Sequence, residues 1–272
     1  MAKTRCRADQ LVYQQGLASS REKAKRLIMA GLVVEGSRRI DKPGEQLDME
    51  TELRLKGQMK YVSRGGYKLE KILENEAINL KDKVCIDIGA STGGFTDCML
   101  QAGAKKVYAI DVGYNQLDFS LRQDPRVINM EKINIRYLEP EDLEEKADFI
   151  SIDVSFISLD LVLPVAKNLL KEDGLIAALI KPQFEAGKDK VGKGGIVRDK
   201  KIHLEVLEKM LALFTSLGLN PLQLTDSPIH GAKGNIEFLA LLSLGPGKSW
   251  DLKALVDKAH QDGGKDVTGT QH

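Results

Sequence analysis

Asp87-Ile88-Gly89-Ala90-Ser91-Thr92-Gly93-Gly94-Phe95 follows a short apolar run and leads into another that ends at Asp111. Glycines between a strand and a helix let the backbone turn and approach a ligand closely, and an acid ending the next strand can accept hydrogen bonds from ribose hydroxyls. The spacing departs from the dinucleotide fingerprint, because Gly89 is followed by Gly93 and Gly94. Asp87, just before the turn, suits a methionine ammonium better than a pyrophosphate. The expected ligand is S-adenosyl-L-methionine, held by Asp87, Gly89, Ala90, Ser91, Gly93, Gly94, Phe95 and Asp111, with Asp153 beside them and Asn134 as a candidate for the adenine edge. The plainer alternatives are that Asp87 caps the helix after the turn and that Asn134 belongs to an ordinary loop.

Asp153 and Lys181 form a second constellation, each standing directly after an apolar run. An acid and a lysine so placed are costly unless they pair or do chemistry; a structural ion pair is the bland alternative. Both constellations need a scaffold that gathers distant residues. The runs Val84 to Ile88, Val107 to Ile110, Val127 to Met130, Phe149 to Asp153 and Leu175 to Ile180 read as strands, with helical patterns between them. Strands alternating with helices predict parallel pairing in an α/β sandwich of three layers, a Rossmann-like fold. Ligands of such sheets bind beyond the carboxyl ends of the strands, where Asp87, Asp111, Asp153 and Lys181 all lie. A helix over Gly66 to Ala77 precedes the first strand. A last helix over Lys201 to Leu217 leads to a closing hairpin, Leu219 to Leu224 and Ile236 to Ser243, one strand of which runs antiparallel.

The chain has 272 residues, 42% of them hydrophobic and 29% charged, enough for a large domain and a small one. It holds no uncharged apolar stretch of the roughly 20 residues that span a bilayer, and the basic start is not followed by the apolar core of a secretory signal. The expected location is the cytoplasm, with no membrane. Cys6, Cys85 and Cys98 form no Cys-x-x-Cys pair and the four histidines are scattered, so no metal site is expected. The net charge of +1 hides an asymmetry: residues 1–65 carry an excess of about six positive charges.

Within that basic part, Leu11, Val12 and Leu17 supply the apolar face of a short helix. Ser20 can cap a second helix from Arg21 to Ala30, with Ala24, Leu27 and Ile28 inward and Arg21, Lys25 and Arg26 toward solvent. Short strands follow around Val33-Val34, the turn Glu35-Gly36-Ser37, and Leu53 to Leu55. Solvated charge on an ordinary helix face is the bland reading. The segments Arg7 to Leu11, Gly16 to Ala24 and Ile28 to Gly36 nevertheless resemble the S4 RNA-binding domain over nearly its full length. The resemblance implies an α+β module at 1–57 that lays Arg5, Arg7, Ser20, Arg21, Lys23, Lys25 and Arg26 against structured RNA, and cations on a rigid helix suit an A-form duplex read through phosphates and shape.

Beyond a linker at 58–63, the domain at 64–250 carries further resemblances. Lys68, Asp153, Lys181 and Glu237, in the contexts Gly65-Gly66-Tyr67-Lys68-Leu69, Asp153-Val154-Ser155-Phe156, Lys181-Pro182-Gln183-Phe184 and Gly234-Asn235-Ile236-Glu237, resemble the Lys-Asp-Lys-Glu tetrad of FtsJ-like ribose 2'-O-methyltransferases. Where FtsJ-like glycine loops commonly carry proline, this chain has Thr92. With the S4 match, nearly the whole chain resembles the TlyA family, named as hemolysins and similar to ribosomal RNA 2'-O-methyltransferases. The resemblance implies methyl transfer from S-adenosyl-L-methionine to cytidine riboses in ribosomal RNA of the small and, in some members, the large subunit, with no protein partner implied. A ribose hydroxyl needs a base and a donor held at attack distance. Lys181 is the expected base, Asp153 orients it, and Lys68 with Glu237 holds the ribose. The glycine-rich segment Gly187 to Asp199 reads as a mobile basic flap that closes over RNA, with Lys188, Lys190, Lys193 and Arg198 meeting phosphates, and plain disorder is the alternative. Residues 251–272 read as a polar tail. Competing classes are a base N-methyltransferase, a membrane-lytic hemolysin and a scaffold without catalysis. Asp153-Val154-Ser155-Phe156 in place of an Asp/Asn-Pro-Pro-aromatic clamp, the absence of long apolar segments and the intact tetrad count against them in turn.

Overall fold

Alternation along the strands decides the architecture, because successive side chains face opposite sides of a sheet. The computed structural model describes residues 5–36, 38–55 and 60–261. Ser37 of the expected turn, residues 58–59 of the expected linker and residues 262–272 of the expected tail lie outside them. The chain divides into two compact units after Lys60.

The first unit comprises β1 (Arg5–Arg7), α1 (Ala8–Gln14), α2 (Arg21–Met29), β2 (Val33–Glu35), β3 (Arg38–Arg39), β4 (Gln46–Asp48) and β5 (Arg54–Leu55). β1 pairs with β4, and β2 lies between β3 and β5. Its core is Leu11 and Val12 of α1, Ala24 and Ile28 of α2, and Val33, Ile40, Leu47 and Leu53 from the strands and loops. Leu27 is half-buried. Ser20 caps α2 as expected, accepting from Lys23 N at 3.2 Å.

The second unit runs α3 (Gly65–Asn75), β6 (Val84–Ile88), α4 (Gly94–Gln101), β7 (Lys106–Asp111), α5 (Phe119–Arg122), β8 (Val127–Glu131), β9 (Ala147–Ile152), α6 (Leu159–Leu169), β10 (Leu170–Ile180), α7 (Pro182–Glu185), α8 (Lys200–Ser216), β11 (Asn220–Asp226), β12 (Phe238–Ser243) and α9 (Leu252–Gln261). The seven strands lie in the order β11-β12-β10-β9-β6-β7-β8. β12 pairs antiparallel with both β10 and β11, and the other pairs in this sheet are parallel. Ile86, Ile176, Ile180, Phe238 and Leu242 pack on α6, α8 and α9; the residues between them, Cys85, Ala177, Leu179, Leu239 and Leu241, pack on α3 and α4. The fold is the expected Rossmann-like methyltransferase sandwich.

Two expectations are corrected. Tyr61 and Val62 are not linker: Tyr61 is buried in the core beneath α3 and α4, its hydroxyl bonds Glu70 at 3.0 Å, and Val62 N donates to Asp97 at 2.8 Å. The segment read as a polar tail begins with α9, which buries Val256 and Ala259. Its apolar residues Leu252, Leu255, Val256 and Ala259 stand at helical spacing, a signal that the polar composition conceals. No helix among the described residues is long and apolar enough to cross a membrane.

Candidate active site

Strand parity and register bring the tetrad together. Asp87 alternates with Cys85, Asp153 with Ser151 and Phe149, Lys181 with Leu179, and Glu237 with Leu239, so all four point to the sheet face that α3 covers. The pairing of Ile180 with Phe238 sets Lys181 beside Glu237 at the strand ends. Because β12 is antiparallel, its beginning lies where the parallel strands finish. α3 contributes Lys68 from above, directly before its buried Leu69.

The four side chains form two ion pairs. Lys68 Nζ donates to Glu237 Oε2 at 2.7 Å, and Lys181 Nζ meets Asp153 Oδ1 at 2.6 Å. Lys181 also donates to Ser155 Oγ at 3.0 Å. Lys68, Asp153 and Lys181 line one cavity of about 430 Å³ together with Ser63, Arg64, Ser155, His230 and Gly231. Glu237, 2% exposed, lies behind that wall: a Cβ on Gly231 would stand 1.9 Å from its Oε1, which accepts from Gln183 Nε2 at 3.2 Å. Glu237 thus pairs with Lys68 from behind the residues that line the cavity.

A second cavity of about 430 Å³ adjoins the first along Gly89, Ser91, Asp153 and Ser155. It is an apolar slot of Ile88, Ile110, Ile133, Ile135 and Ile157, with Asp111 and Asn134 as polar ends. Asp111 accepts from Ser91 N at 2.8 Å and from Gly113 N at 2.7 Å, one bond on each carboxylate oxygen, which leaves each a further lone pair for a ribose hydroxyl. Asn134 accepts from Arg136 N at 3.1 Å and borders the slot. Gly89, at φ +85°, must be glycine, since a Cβ would lie 2.5 Å from the Asp153 carbonyl oxygen. Gly94 admits none either, with Ser63 Oγ at 2.2 Å and Gly66 N at 2.9 Å from the Cβ position. The slot, the glycine turn and the hydrogen-bonding capacity of Asp111 are of the kind that would hold the nucleoside part of S-adenosyl-L-methionine.

Two of the residues expected at the cofactor, Asp87 and Phe95, line the first cavity but are largely buried. Asp87 is fully buried on the floor of the first cavity, where Oδ2 accepts from Thr96 N at 2.9 Å and Thr96 Oγ1 at 2.7 Å, and Oδ1 from Ser151 at 3.0 Å. Burial pushes its pKa up to about 6, against those hydrogen bonds and with help from the Asp153 charge. This carboxylate holds the start of α4 and the glycine turn, the capping alternative, and presents no exposed face to an ammonium. Phe95 borders the cavity but sits mainly in the core, 4% exposed. Gly93 caps α4 in left-handed conformation, and Ala90 and Ser91 line the cavity.

Of the RNA-facing candidates, Arg5, Lys23 and Arg26 are exposed. Arg7 and Arg21 grip the buried Asp9 at 3.0 and 3.2 Å. Burial raises the Asp9 pKa, and the two guanidiniums outweigh it, leaving the carboxyl below its ordinary value. Lys25 pairs with Glu22 at 2.6 Å. In the second unit Lys188, Lys193 and Arg198 are exposed and Lys190 pairs with Glu205. Their segment is tied by hydrogen bonds to residues 233–235. The buried Asn235 accepts from Val197 N at 3.0 Å and donates to Gly195 O and Ala232 O at 3.0 Å, while Lys233 donates to Gly194 O at 2.8 Å.

Two residues escaped the sequence reading. Ser155 bonds the Lys181 amine, and Phe156 is 92% exposed at φ +65°, a conformation costly for a bulky side chain. Phe156 packs against Phe184 with ring centres 5.0 Å apart and planes inclined by 53°, and the Phe184 ring lies 5.9 Å from Lys181 Nζ. Nothing in local periodicity marks either one, because both depend on where the chain turns after β9.

Comparison with known proteins agrees with this geometry. The FtsJ-like methyltransferase family model matches residues 61–244, and the S4 domain model residues 6–53. The Bacillus subtilis protein YqxC is 55% identical over 86% of this chain and 84% of its own length. The Mycobacterium tuberculosis 16S/23S rRNA (cytidine-2'-O)-methyltransferase TlyA is 39% identical over 94% of this chain and 97% of its own. A solved structure from Streptococcus thermophilus, described as a hemolysin, superposes with a TM-score of 0.73 at 52% identity, covering 96% of this chain and 98% of that one. An FtsJ-like model over most of the chain, an S4 model before it and relatives matched along nearly their whole length place the chain in the TlyA-like family of FtsJ-like, S-adenosyl-L-methionine-dependent methyltransferases.

Proposed function

We propose that this enzyme methylates the ribose 2'-hydroxyl of a cytidine in ribosomal RNA, acting on ribosomal subunits in the cytoplasm. The observation that carries the reading is the Lys181–Asp153 pair, in which Lys181 lines the polar cavity and Asp153 borders both that cavity and the apolar slot. S-adenosyl-L-methionine supplies an electrophilic methyl group there. Lys181, held at 2.6 Å by Asp153, gives a proton to solvent before substrate is seated and, as the amine, takes the hydroxyl proton as the oxygen attacks. Lys68, fixed by Glu237, keeps a positive charge on the cavity wall against the ribose and its phosphate. Phe156 offers an exposed ring on which the target base can stack once turned out of its helix. Arg5, Lys23 and Arg26 of the S4 unit, with Lys188, Lys193 and Arg198, supply charge for RNA phosphates. Cytidine as the target follows the name of the M. tuberculosis relative.

The test is incubation of the purified protein with labelled S-adenosyl-L-methionine and with 30S and 50S particles from cells lacking the enzyme, followed by mapping of the label. A mark on a cytidine that blocks alkaline cleavage is expected. Label on a base, with cleavage unaffected, refutes ribose attack. Lys181→Ala should abolish transfer while leaving donor binding nearly intact; retained turnover removes Lys181 from the mechanism.

A further inference from the structure

A lysine reaches its site through four rotatable carbons, so one ion pair sets a distance without setting a direction. Asp153 Oδ1 lies 2.6 Å from Lys181 Nζ, and Ser155 Oγ adds a second bond at 3.0 Å. Together with Cε these contacts occupy three of the four tetrahedral positions on the nitrogen. One position is left for substrate. Ser155 also borders both cavities, as do Gly89, Ser91 and Asp153, so the contact lies at the junction where the methyl group must cross. The side chain is exposed, and its hydroxyl bonds Lys181 without contributing to the core. The neighbouring Phe156 takes the left-handed φ of +65°, a backbone cost that persists only where the surroundings impose it.

We infer that Ser155 is a positioning residue for methyl transfer, directing the remaining position on Lys181 Nζ at the substrate hydroxyl. The inference rests on the reading of Lys181 as the base. The ammonium of the ion pair first gives its third proton, the one pointing away from Asp153 and Ser155, to solvent; the amine that remains donates two N–H bonds to those residues and presents its lone pair to the hydroxyl. As the methyl leaves sulfur for the ribose oxygen, the O–H bond breaks and a third N–H bond forms on Nζ. Ser155 accepts the same hydrogen bond before and after, so the amine need not turn during the reaction.

The experiment compares Ser155→Ala, Ser155→Thr and Lys181→Ala in the full chain, with ribosomal subunits as substrate, measuring kcat, KM and the donor Kd separately. Loss of a directing hydrogen bond should lower kcat of Ser155→Ala about tenfold, with KM and donor Kd within about twofold. Ser155→Thr, which keeps the hydroxyl, should recover most of the rate. An unchanged kcat in Ser155→Ala, a donor affinity that falls in step with kcat, or a threonine variant as slow as the alanine one overturns the inference. An inactive Lys181→Ala beside an unimpaired Ser155→Ala refutes the role of Ser155 and spares the base; an active Lys181→Ala refutes the base itself.

Discussion

Changing Lys68 to Met strands the Glu237 carboxylate, which is 2% exposed and would keep only the Gln183 amide, at 3.2 Å, as a side-chain donor. Breaking a buried pair from one side costs about 3–5 kcal/mol, because the remaining charge stays out of water without compensation. A middle value of about 4 kcal/mol, at about 2–4 °C per kcal/mol for a unit of this size, lowers the Tm of the methyltransferase unit by about 8–16 °C. Adding Glu237→Gln removes the stranded charge while keeping its shape, so Lys68→Met/Glu237→Gln should recover at least about half of the loss, the coupling expected of residues in contact. Both variants should be inactive, since neither has an ammonium at the cavity wall. Thermal unfolding by calorimetry with methyl transfer assayed in parallel separates the two effects, and the Tm difference should persist at high salt because a buried pair is weakly screened. A single variant melting within about 2 °C of the parent, or a double variant whose losses simply add, would refute the argument that Lys68 and Glu237 form one buried unit.

Asp87 carries a pH dependence of definite sign. Its proton is held up to about 6 in the fold but only to about 3.9 in the unfolded chain, so the native state binds more protons between these values and stability falls as pH rises from about 4 to about 6, by about 3 kcal/mol in all. Asp87→Asn should abolish that component, measured as the difference between the two Tm-versus-pH curves; parallel curves would show that Asp87 does not titrate there. Phe156→Gly should leave Tm unchanged or slightly higher, since glycine accepts the left-handed φ of +65°, while raising KM for ribosomal subunits. A drop in Tm with unaltered KM would make Phe156 a packing residue. Asn235→Ala should free the 187–199 segment, so that trypsin cleaves after Lys188, Lys193 or Arg198 faster than in the parent; equal cleavage rates would mean that the two Asn235 hydrogen bonds to Gly195 and Val197 do not hold it.

Much of this molecule was legible in its residues. The apolar runs ending at Ile88, Ile110, Ile152 and Ile180 announce buried parallel strands, since only a sheet covered on both faces needs continuous hydrophobic segments. The glycine turn, the acids after the runs and the Ser20 cap are local features, written in a few adjacent residues. So was the grouping of the tetrad, by its resemblance to a known pattern. What local sequence does not contain is who pairs with whom. Lys68 and Glu237 are 169 residues apart and meet because β12 inserts antiparallel beside β10 in one register. The burial of Asp87, the clamp of Asn235 on the basic segment, the packing of Tyr61 and the bond from Lys181 to Ser155 were likewise decided by the assembled sheet. Periodicity is set by the backbone's own repeat and is present in any short window of chain. Strand order and register are set by the free energy of the whole core, so the partners of a charged side chain exist only once that core has closed.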